Sequence, residues 1–197
     1  MFNFPDAPTI GQVVNMPDGT CRAWDGVKWK VAAIGSGSGS GGSSNVTRFI
    51  TNQNQIGYPG GVTTEQDLQT VALTAGLLAT NGQALRIVAA GTFASQSTVR
   101  TIRLYFGATQ IALYQSGTGG PFNWQIDAIV WRLGATSQYA KGIAFSGTNN
   151  VSGTNQQSLT SPAETLANAI TIKTTGQSVL AQAATVVSNI LMVEFLP

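Results

Sequence analysis

The absence of histidine is the first limit on any chemistry this chain can perform. Its 197 residues include no histidine and a single cysteine, Cys21. Histidine is the usual general base near neutral pH and the commonest transition-metal ligand, so serine–histidine and cysteine–histidine nucleophiles are excluded and a zinc site is disfavoured. A serine–lysine pair would need Lys141 or Lys173, and neither lies in a recognisable motif.

Carboxylates are the remaining groups that could catalyse a reaction. Glycoside hydrolysis needs only two of them. Five follow residue 44, namely Glu65, Asp67, Asp127, Glu164 and Glu194. Glu65 and Asp67 are two residues apart, so an extended segment would place both on one face. Capping of a short helical turn, calcium binding and catalysis all remain open for this pair.

Asp127 lies within an apolar segment between Trp124 and Trp131. A carboxylate in such a place needs a cation, and we expect an ion pair with Arg132 or Arg103 rather than a catalytic acid. The sequence therefore favours a protein that is not an enzyme, with no cofactor and no metal centre.

Polar segments and aromatic side chains leave the recognition of a surface glycan or protein open. Gln115–Gly120 and Gly147–Ser158 combine amides and hydroxyls at expected turns. The aromatic residues that could stack on sugars are Tyr58, Tyr114, Trp124 and Tyr139. Aromatic residues in strands are usually core, so no individual residue is assigned to a glycan site.

The elements that must position these residues are strands. The predicted strands are Leu73–Leu78, Leu85–Phe93, Thr98–Phe106, Gln110–Tyr114, Phe122–Leu133, Gln138–Phe145, Ala169–Thr174 and Val186–Leu196. The helical alternative is weak, since only residues 65–68 and 162–166 could form single helical turns. About eight strands without a repeat predict an all-β domain, a jelly-roll-like sandwich of two sheets.

Two of these strands are apolar on both faces, and charge is scarce throughout. Ala128–Trp131 and Ile190–Val193 do not alternate, so each needs a second cover, which another copy of the chain would supply. Only 9% of the residues are charged, against about 25% in ordinary soluble domains. We therefore expect a homo-oligomer, with a trimer as the simplest arrangement.

Charge and hydropathy also argue against two other classes of partner. The net charge is +2 and the basic residues are scattered, so no nucleic-acid-binding surface is expected. No apolar run approaches the roughly 20 residues that span a bilayer, so membrane insertion is not expected. The first residues lack a basic start followed by an apolar stretch, so no secretion signal is expected.

A Gly/Ser run at residues 35–44 divides the chain into an N-terminal module, residues 1–34, and a larger domain, residues 45–197. Such runs behave as flexible linkers. In the module, Thr20–Trp24 and Val27–Val31 flank Asp25 and Gly26, which predicts a β-hairpin that brings Trp24 and Trp29 together. The two tryptophans would form either a miniature core or an exposed ligand-binding pair.

The module contains Pro8-Thr9-Ile10-Gly11-Gln12, then Pro17-Asp18-Gly19, then Trp24-Asp25-Gly26-Val27-Lys28-Trp29. This pattern resembles the segment P-T-x-G-Q, P-x-G, W-D-G-x-K-W of many tailed-bacteriophage fibre and other virion proteins. The resemblance covers residues 5–31, with Cys21 and Ala23 where an aromatic residue is expected. It implies a virion-anchoring module in which Trp24, Asp25, Gly26 and Trp29 contact capsid or tail proteins.

The larger domain resembles the C-terminal heads of phage tail and capsid fibres. The resemblance is carried by Leu73–Ala94, Val99–Gly107, Ala169–Gly176 and Val193–Pro197. Such heads are commonly trimeric jelly rolls similar to tumour-necrosis-factor domains.

Together the two resemblances imply a structural virion protein, a short fibre, spike or capsid-decorating head fibre. It would assemble in the host cytoplasm, lie on the virion surface and serve host attachment. The alternatives are an extracellular lectin-like module and a polysaccharide depolymerase.

Overall fold

The computed structural model describes residues 7–10, 12–15, 21–31, 49–147 and 155–197. The chain divides into two compact units, Met1–Ser44 and Asn45–Pro197. The predicted linker, residues 35–44, lies outside the described residues. Every regular element within them is a β-strand, which confirms the all-β prediction. Across the same residues there is no helix with the length and apolar character that crossing a membrane requires.

The first unit contains a three-stranded antiparallel sheet. Its strands, in spatial order, are β1 (Val13–Asn15), β2 (Cys21–Trp24) and β3 (Trp29–Val31). Sequence analysis predicted the β2–β3 hairpin but not β1. It also started the second strand at Val27, whereas β3 begins at Trp29. The reason is that Asp25–Lys28 form a four-residue turn, in which the Asp25 amide donates to the Lys28 carbonyl at 3.2 Å.

The second unit contains eleven strands among its described residues. They are β4 (Phe49–Asn52), β5 (Ile56–Gly57), β6 (Gln66–Leu73), β7 (Ala84–Phe93), β8 (Arg100–Phe106), β9 (Thr109–Ser116), β10 (Phe122–Gly134), β11 (Ser137–Gly147), β12 (Asn155–Thr160), β13 (Ile170–Ser178) and β14 (Val186–Leu196). The larger sheet has the order β12-β11-β10-β7-β14-β4, with β5 also paired to β14. The smaller sheet has the order β6-β13-β8-β9.

The strand order is that of a jelly roll. The row β4-β14-β7-β10 faces the row β6-β13-β8-β9, and the chain passes between the two rows as two Greek keys require. This confirms the predicted jelly-roll-like sandwich. Strands β11 and β12 extend the larger sheet beyond β10 and pack on β9.

The core fills the space between the two sheets. Leu85, Ile87 and Phe93 of β7 point into it and are fully buried, as are Ile102 and Leu104 of β8. The opposite faces of the same strands therefore point outward, since successive side chains of a strand alternate. These two outer faces are the surfaces that the sandwich presents to its surroundings.

One glycine sets how closely β11 approaches the opposite sheet. A Cβ on Gly142 would lie 2.3 Å from the carbonyl oxygen of Ile111 and 2.7 Å from Cβ of Ala112. Its inward neighbours Ala140 and Ala144 are also small and buried. This small-residue face lets β11 lie directly against β9.

Most predicted strands occur where expected, and one strand prediction was wrong. Val186–Leu196 has the predicted bounds, but the strand predicted at Leu73–Leu78 is Gln66–Leu73 instead. Neither possible helical turn occurs. Residues 66–68 begin β6, because Val71 pairs with Ile172 and continues a ladder that starts at Gln66, and residues 162–166 form no helical turn either.

Candidate interaction surfaces

The predicted anchoring residues lie together on the β2–β3 hairpin. Trp24 and Trp29 are directly opposite each other in the ladder, with ring centroids 5.5 Å apart and planes tilted by 55°. Both side chains are half-buried. Tilted aromatic pairs at this distance stabilise a hairpin by about 0.5–1.5 kcal/mol beyond the area they bury. The arrangement favours the miniature-core interpretation of the pair.

Asp25 and Gly26 form the turn of this hairpin. The Asp25 carboxylate accepts hydrogen bonds from the amides of Val27 and Lys28 at 2.9 and 2.8 Å, and it pairs with the Lys30 ammonium at 2.6 Å. The Lys30 contact, followed by the two amides, holds the pKa of Asp25 well below its usual range. Gly26 has φ +96°, a conformation that favours glycine. Both residues therefore shape the turn.

The exposed apolar side chains of the first unit are ones that sequence analysis did not single out. Val27, at the tip of the turn, and Ile10 are 82% and 81% exposed. Ile10 packs over the turn, since a Cβ on Gly26 would lie 3.3 Å from its side chain. Gln12 orders this segment by accepting a hydrogen bond from the Thr9 amide at 3.0 Å. The hairpin therefore presents an apolar tip of Ile10 and Val27.

The second surface is the outer apolar face of the larger sheet. We use this name for a set of half-buried outward-pointing side chains and two exposed ones at the margin. The half-buried members are Val88, Ala90, Ile129, Trp131, Ile143, Phe145, Ile190 and Met192, and the exposed ones are Tyr139 and Leu159. The ladder places them side by side, as in Val88 opposite Met192 and Trp131 opposite Tyr139. Both segments predicted to be apolar on two faces contribute to it.

One ion pair lies within the outer apolar face. Arg86 on β7 donates to the Asp127 carboxylate on β10 at 2.8 Å, and this contact raises the pKa of Arg86. The predicted pairing of Asp127 with Arg132 or Arg103 was wrong. Arg132 donates to the Asn81 side chain, and Arg103 lies on the other sheet, so neither reaches the face that carries Asp127.

The outer face of the smaller sheet is polar by contrast. Lys173 pairs with Asp67 at 2.7 Å, and Arg103 pairs with Glu65 at 3.3 Å. Tyr105 packs beneath Lys173, whose ammonium lies 5.6 Å from the ring centroid, and burial, followed by the nearby Glu65, raises the pKa of Tyr105. Glu65 and Asp67 lie on one face, as their spacing predicted, and each is bound to a cation of the same chain.

The remaining carboxylates and lysines are dispersed. Glu164 accepts from the Ala108 amide at 2.7 Å and holds the β8–β9 turn. Glu194 lies on the outer apolar face together with Lys141, while Lys173 lies on the smaller sheet. Within the described part of the chain, no three Asp, Glu or Cys side chains cluster as metal ligands would.

A recess of about 470 Å³ lies at one end of the outer apolar face. It is lined by amide side chains of Asn123, Gln125 and Asn189 together with Phe145 and Ile190. It adjoins the β-bulge between Ser188 and Ile190. No charged side chain lines it, so its polar groups are neutral hydrogen-bonding ones.

Three of the four aromatic residues considered for sugar stacking belong to the core, as aromatic residues in strands usually do. Tyr58, Tyr114 and Trp124 are buried, with 1%, 5% and 2% of their surfaces exposed. The Trp124 indole donates to the Val187 carbonyl at 3.1 Å, and the Tyr58 hydroxyl donates to the Thr64 carbonyl at 2.8 Å. Tyr139 alone of the four is exposed.

The two polar segments that could recognise a glycan or protein, Gln115–Gly120 and Gly147–Ser158, are partly strand. Gln115 and Ser116 are the last two residues of β9. Of the segment 147–158, residues 148–154 lie outside the described chain, and the part from Asn155 forms β12.

Comparisons with known proteins add little. No protein-family model matches the chain, and no curated protein matches it. Among solved structures, the chain is similar to "The 2.6A structure of Infectious Bursal Virus Derived T=1 Particles", with 10% identity over 98% of this chain and 48% of that one and a TM-score of 0.29. A second is "Structure of infectious bursal disease virus Gt strain", with 9% identity, 99% and 51% coverage and a TM-score of 0.22. The chain spans about half the length of both, and likenesses this weak establish neither fold nor function.

Proposed function

We propose that this chain is a non-enzymatic structural protein of a tailed-phage particle, a short fibre, spike or capsid-decorating head fibre. The jelly roll would form the displayed head of a homotrimer, and the N-terminal unit would attach it to the capsid or tail. The observation that carries the proposal is the outer apolar face of the larger sheet. A sheet in a sandwich needs to bury only one of its faces, and this one is apolar on both.

The size of the outer apolar face supports its use as a subunit interface. Five strands spaced by about 4.8 Å, each contributing about six residues at 3.4 Å, cover roughly 500 Å². Monomers rarely expose apolar patches larger than a few hundred Å², whereas a standard interface covers about 800 Å² per partner. At about 25 cal/mol per Å² of apolar surface, burying a face of this size contributes at most roughly 12 kcal/mol, which falls within the range of the cost of association. Contact with a second copy is thus thermodynamically reasonable.

The low charge of the chain supports the same assignment. With 9% charged residues, the surface has little of the net charge and mixed polarity that keep free monomers soluble. Each outer face carries four charged side chains, but on the larger sheet they lie among apolar side chains, and Lys141 and Glu194 form no ion pair within the described chain. That face is the one we assign to the neighbouring copy.

The first unit supports the attachment role through its sequence pattern and its shape. It carries the W-D-G-x-K-W pattern, and its turn presents Ile10 and Val27 to the surroundings. We infer that this apolar tip, rather than Asp25 and Gly26, contacts the capsid or tail protein. Labelled full-length chain should appear at fixed positions on particles of the phage that encodes it. Val27→Asp should remove it from them, and an unchanged decoration would refute this role of the tip.

The subunit proposal is tested by the mass of the full-length chain in solution. We expect sedimentation velocity and light scattering to show an oligomer of three copies of the chain at micromolar concentration. A well-behaved monomer at high concentration would overturn the trimer and, with it, the fibre-head function. A stable dimer would retain the interface and reject the threefold arrangement.

Attachment to a neutral surface glycan is a second candidate role of the same head. The recess favours it because amides such as Asn123 and Asn189 bind sugar hydroxyls without needing charge. A glycan array probed with the chain and with Asn123→Ala should show loss of one neutral ligand. An unchanged array would remove the recess from consideration. Release of reducing ends from a bound polysaccharide would instead support a depolymerase.

A further inference from the structure

Two charged side chains of the jelly roll form no hydrogen bond or ion pair within the described chain. Lys141 is exposed, Glu194 is half-buried, and neither forms a hydrogen bond or ion pair there. Every other charged side chain described in Asn45–Pro197 has such a contact. These are Glu65, Asp67, Asp127, Arg86, Arg103 and Lys173 in ion pairs, Glu164 with a backbone amide, and Arg100 and Arg132 with backbone carbonyls.

The two unpaired charges lie on the same face and in the same row of the ladder. Glu194 is opposite Arg86, Arg86 is opposite Ile129, and Ile129 is opposite Lys141. Three strand spacings of about 4.8 Å separate the two charges by roughly 14 Å. They therefore cannot pair within one copy, and they lie near opposite margins of the outer apolar face.

The side chains that surround Lys141 and Glu194 in the same copy do not provide either of them with an ion pair. Arg86 lies next to Glu194 and feels its charge, but its guanidinium is bound to Asp127. Lys141 has Ile129 on one side and Leu159 on the other. Covering the face with an apolar partner would bury a cation and an anion separately, which costs several kcal/mol for each.

We propose that Lys141 of one copy pairs with Glu194 of the neighbouring copy. This inference rests on the proposed function, in which the outer apolar face contacts other copies of the chain. In a closed ring, opposite margins of one face meet two different neighbours, so each interface receives one cation and one anion. Apolar contact has no direction of its own, and a charge pair at its margin sets the register.

Charge reversal in the full-length chain tests the pairing. Lys141→Glu and Glu194→Lys are made singly and together, and the concentration at half-assembly is measured by sedimentation velocity. Each single variant places like charges against each other and should raise that concentration on the order of 10-fold or more. The double variant restores opposite charges and should return to within about 3-fold of the parent chain.

Asp67→Lys combined with Lys173→Glu is the matched control, because it reverses a pair that is complete within one copy. Its assembly should not change. Single variants that assemble like the parent chain would overturn the pairing, as would a double variant no better than the singles. Either result leaves the proposed interface standing, whereas a monomeric parent chain would reject the proposed function itself.

Discussion

The two outer faces of the jelly roll differ in how their charges are satisfied. On the smaller sheet, Asp67 and Glu65 are bound to Lys173 and Arg103 of the same chain. The charges of that face therefore need no partner from another chain. On the larger sheet, apolar side chains dominate, and Lys141 and Glu194 form no hydrogen bond or ion pair among the described residues. The two faces therefore differ in how their charges are paired. This difference is the basis for proposing that the larger sheet, and not the smaller one, contacts another copy.

The largest effect we expect is a loss of folding stability, caused by a substitution in the core and not on either outer face. Arg100, at the start of β8, is fully buried, donates to the carbonyls of Gly117 and Gly119 at 2.9 and 3.0 Å, and packs between two phenylalanine rings. Arg100→Met leaves those carbonyls without donors and should lower the free energy of unfolding by about 3 kcal/mol or more. Urea unfolding measures this. Arg103→Met, on the outer face, should cost less than about 1 kcal/mol, and equal losses would contradict the contrast.

The next effect concerns the outer apolar face directly. Ile190→Asp and Phe145→Asp each place a charge within the proposed contact and should raise the half-assembly concentration on the order of 100-fold. Sedimentation velocity at several concentrations checks this. Ala72→Asp, at an exposed position on the smaller sheet, is the matched control and should assemble normally. If all three variants behaved alike, the distinction between the two faces would be lost.

A smaller effect is expected from the ion pairs of the smaller sheet. Asp67→Ala removes the contact with Lys173, which is only partly shielded from water, and should cost about 0.2–1 kcal/mol of unfolding free energy. High salt should shrink the difference between the variant and the parent chain. Assembly should be unaffected, and a weakened oligomer would show that this face also contacts a partner.

The smallest effect we expect concerns the first unit, where the Asp25 carboxylate is likewise bound by donors of its own hairpin. Its folded pKa is lowered from 3.8, so it stabilises the hairpin above that pH, and the contribution is lost as pH falls through the folded pKa. We expect the Val27 and Lys28 amide chemical shifts to stay constant from about pH 6 to about pH 3. A midpoint near the ordinary aspartate value would mean that the carboxylate is not held by its three donors. Asp25→Asn provides the reference without the charge.

Sequence analysis predicted the parts of this molecule that depend on local pattern. The mostly apolar run of Val186–Leu196 was sufficient to place β14. The two-sided apolarity of Ala128–Trp131 and Ile190–Val193 pointed to the outer apolar face. Both signals come from neighbouring residues. The all-β class followed from the same information, whereas the strand order is known only from the structure.

The contact partners of individual side chains were harder to predict from the sequence. Asp127 pairs with Arg86, a residue 41 positions away, because β7 and β10 are neighbours in the sheet. Strand β6 begins with Gln66 and Asp67, which have no strand preference, and it forms because β13 supplies a ladder. The burial of Tyr58 and Tyr114 likewise depends on which strands face each other. Such contacts between distant segments are not encoded in any short stretch of sequence.

The position of β14 in the larger sheet has a consequence for biosynthesis. It lies between β4 and β7, with Val186 opposite Phe93 and Val193 opposite Ile50, so the sheet remains split until this last strand of the domain has been translated. Pairing across so long a stretch of chain is slow compared with hairpin formation. Nascent polypeptides on neighbouring ribosomes therefore lack the complete larger sheet, so the proposed joining of copies would follow the folding of each.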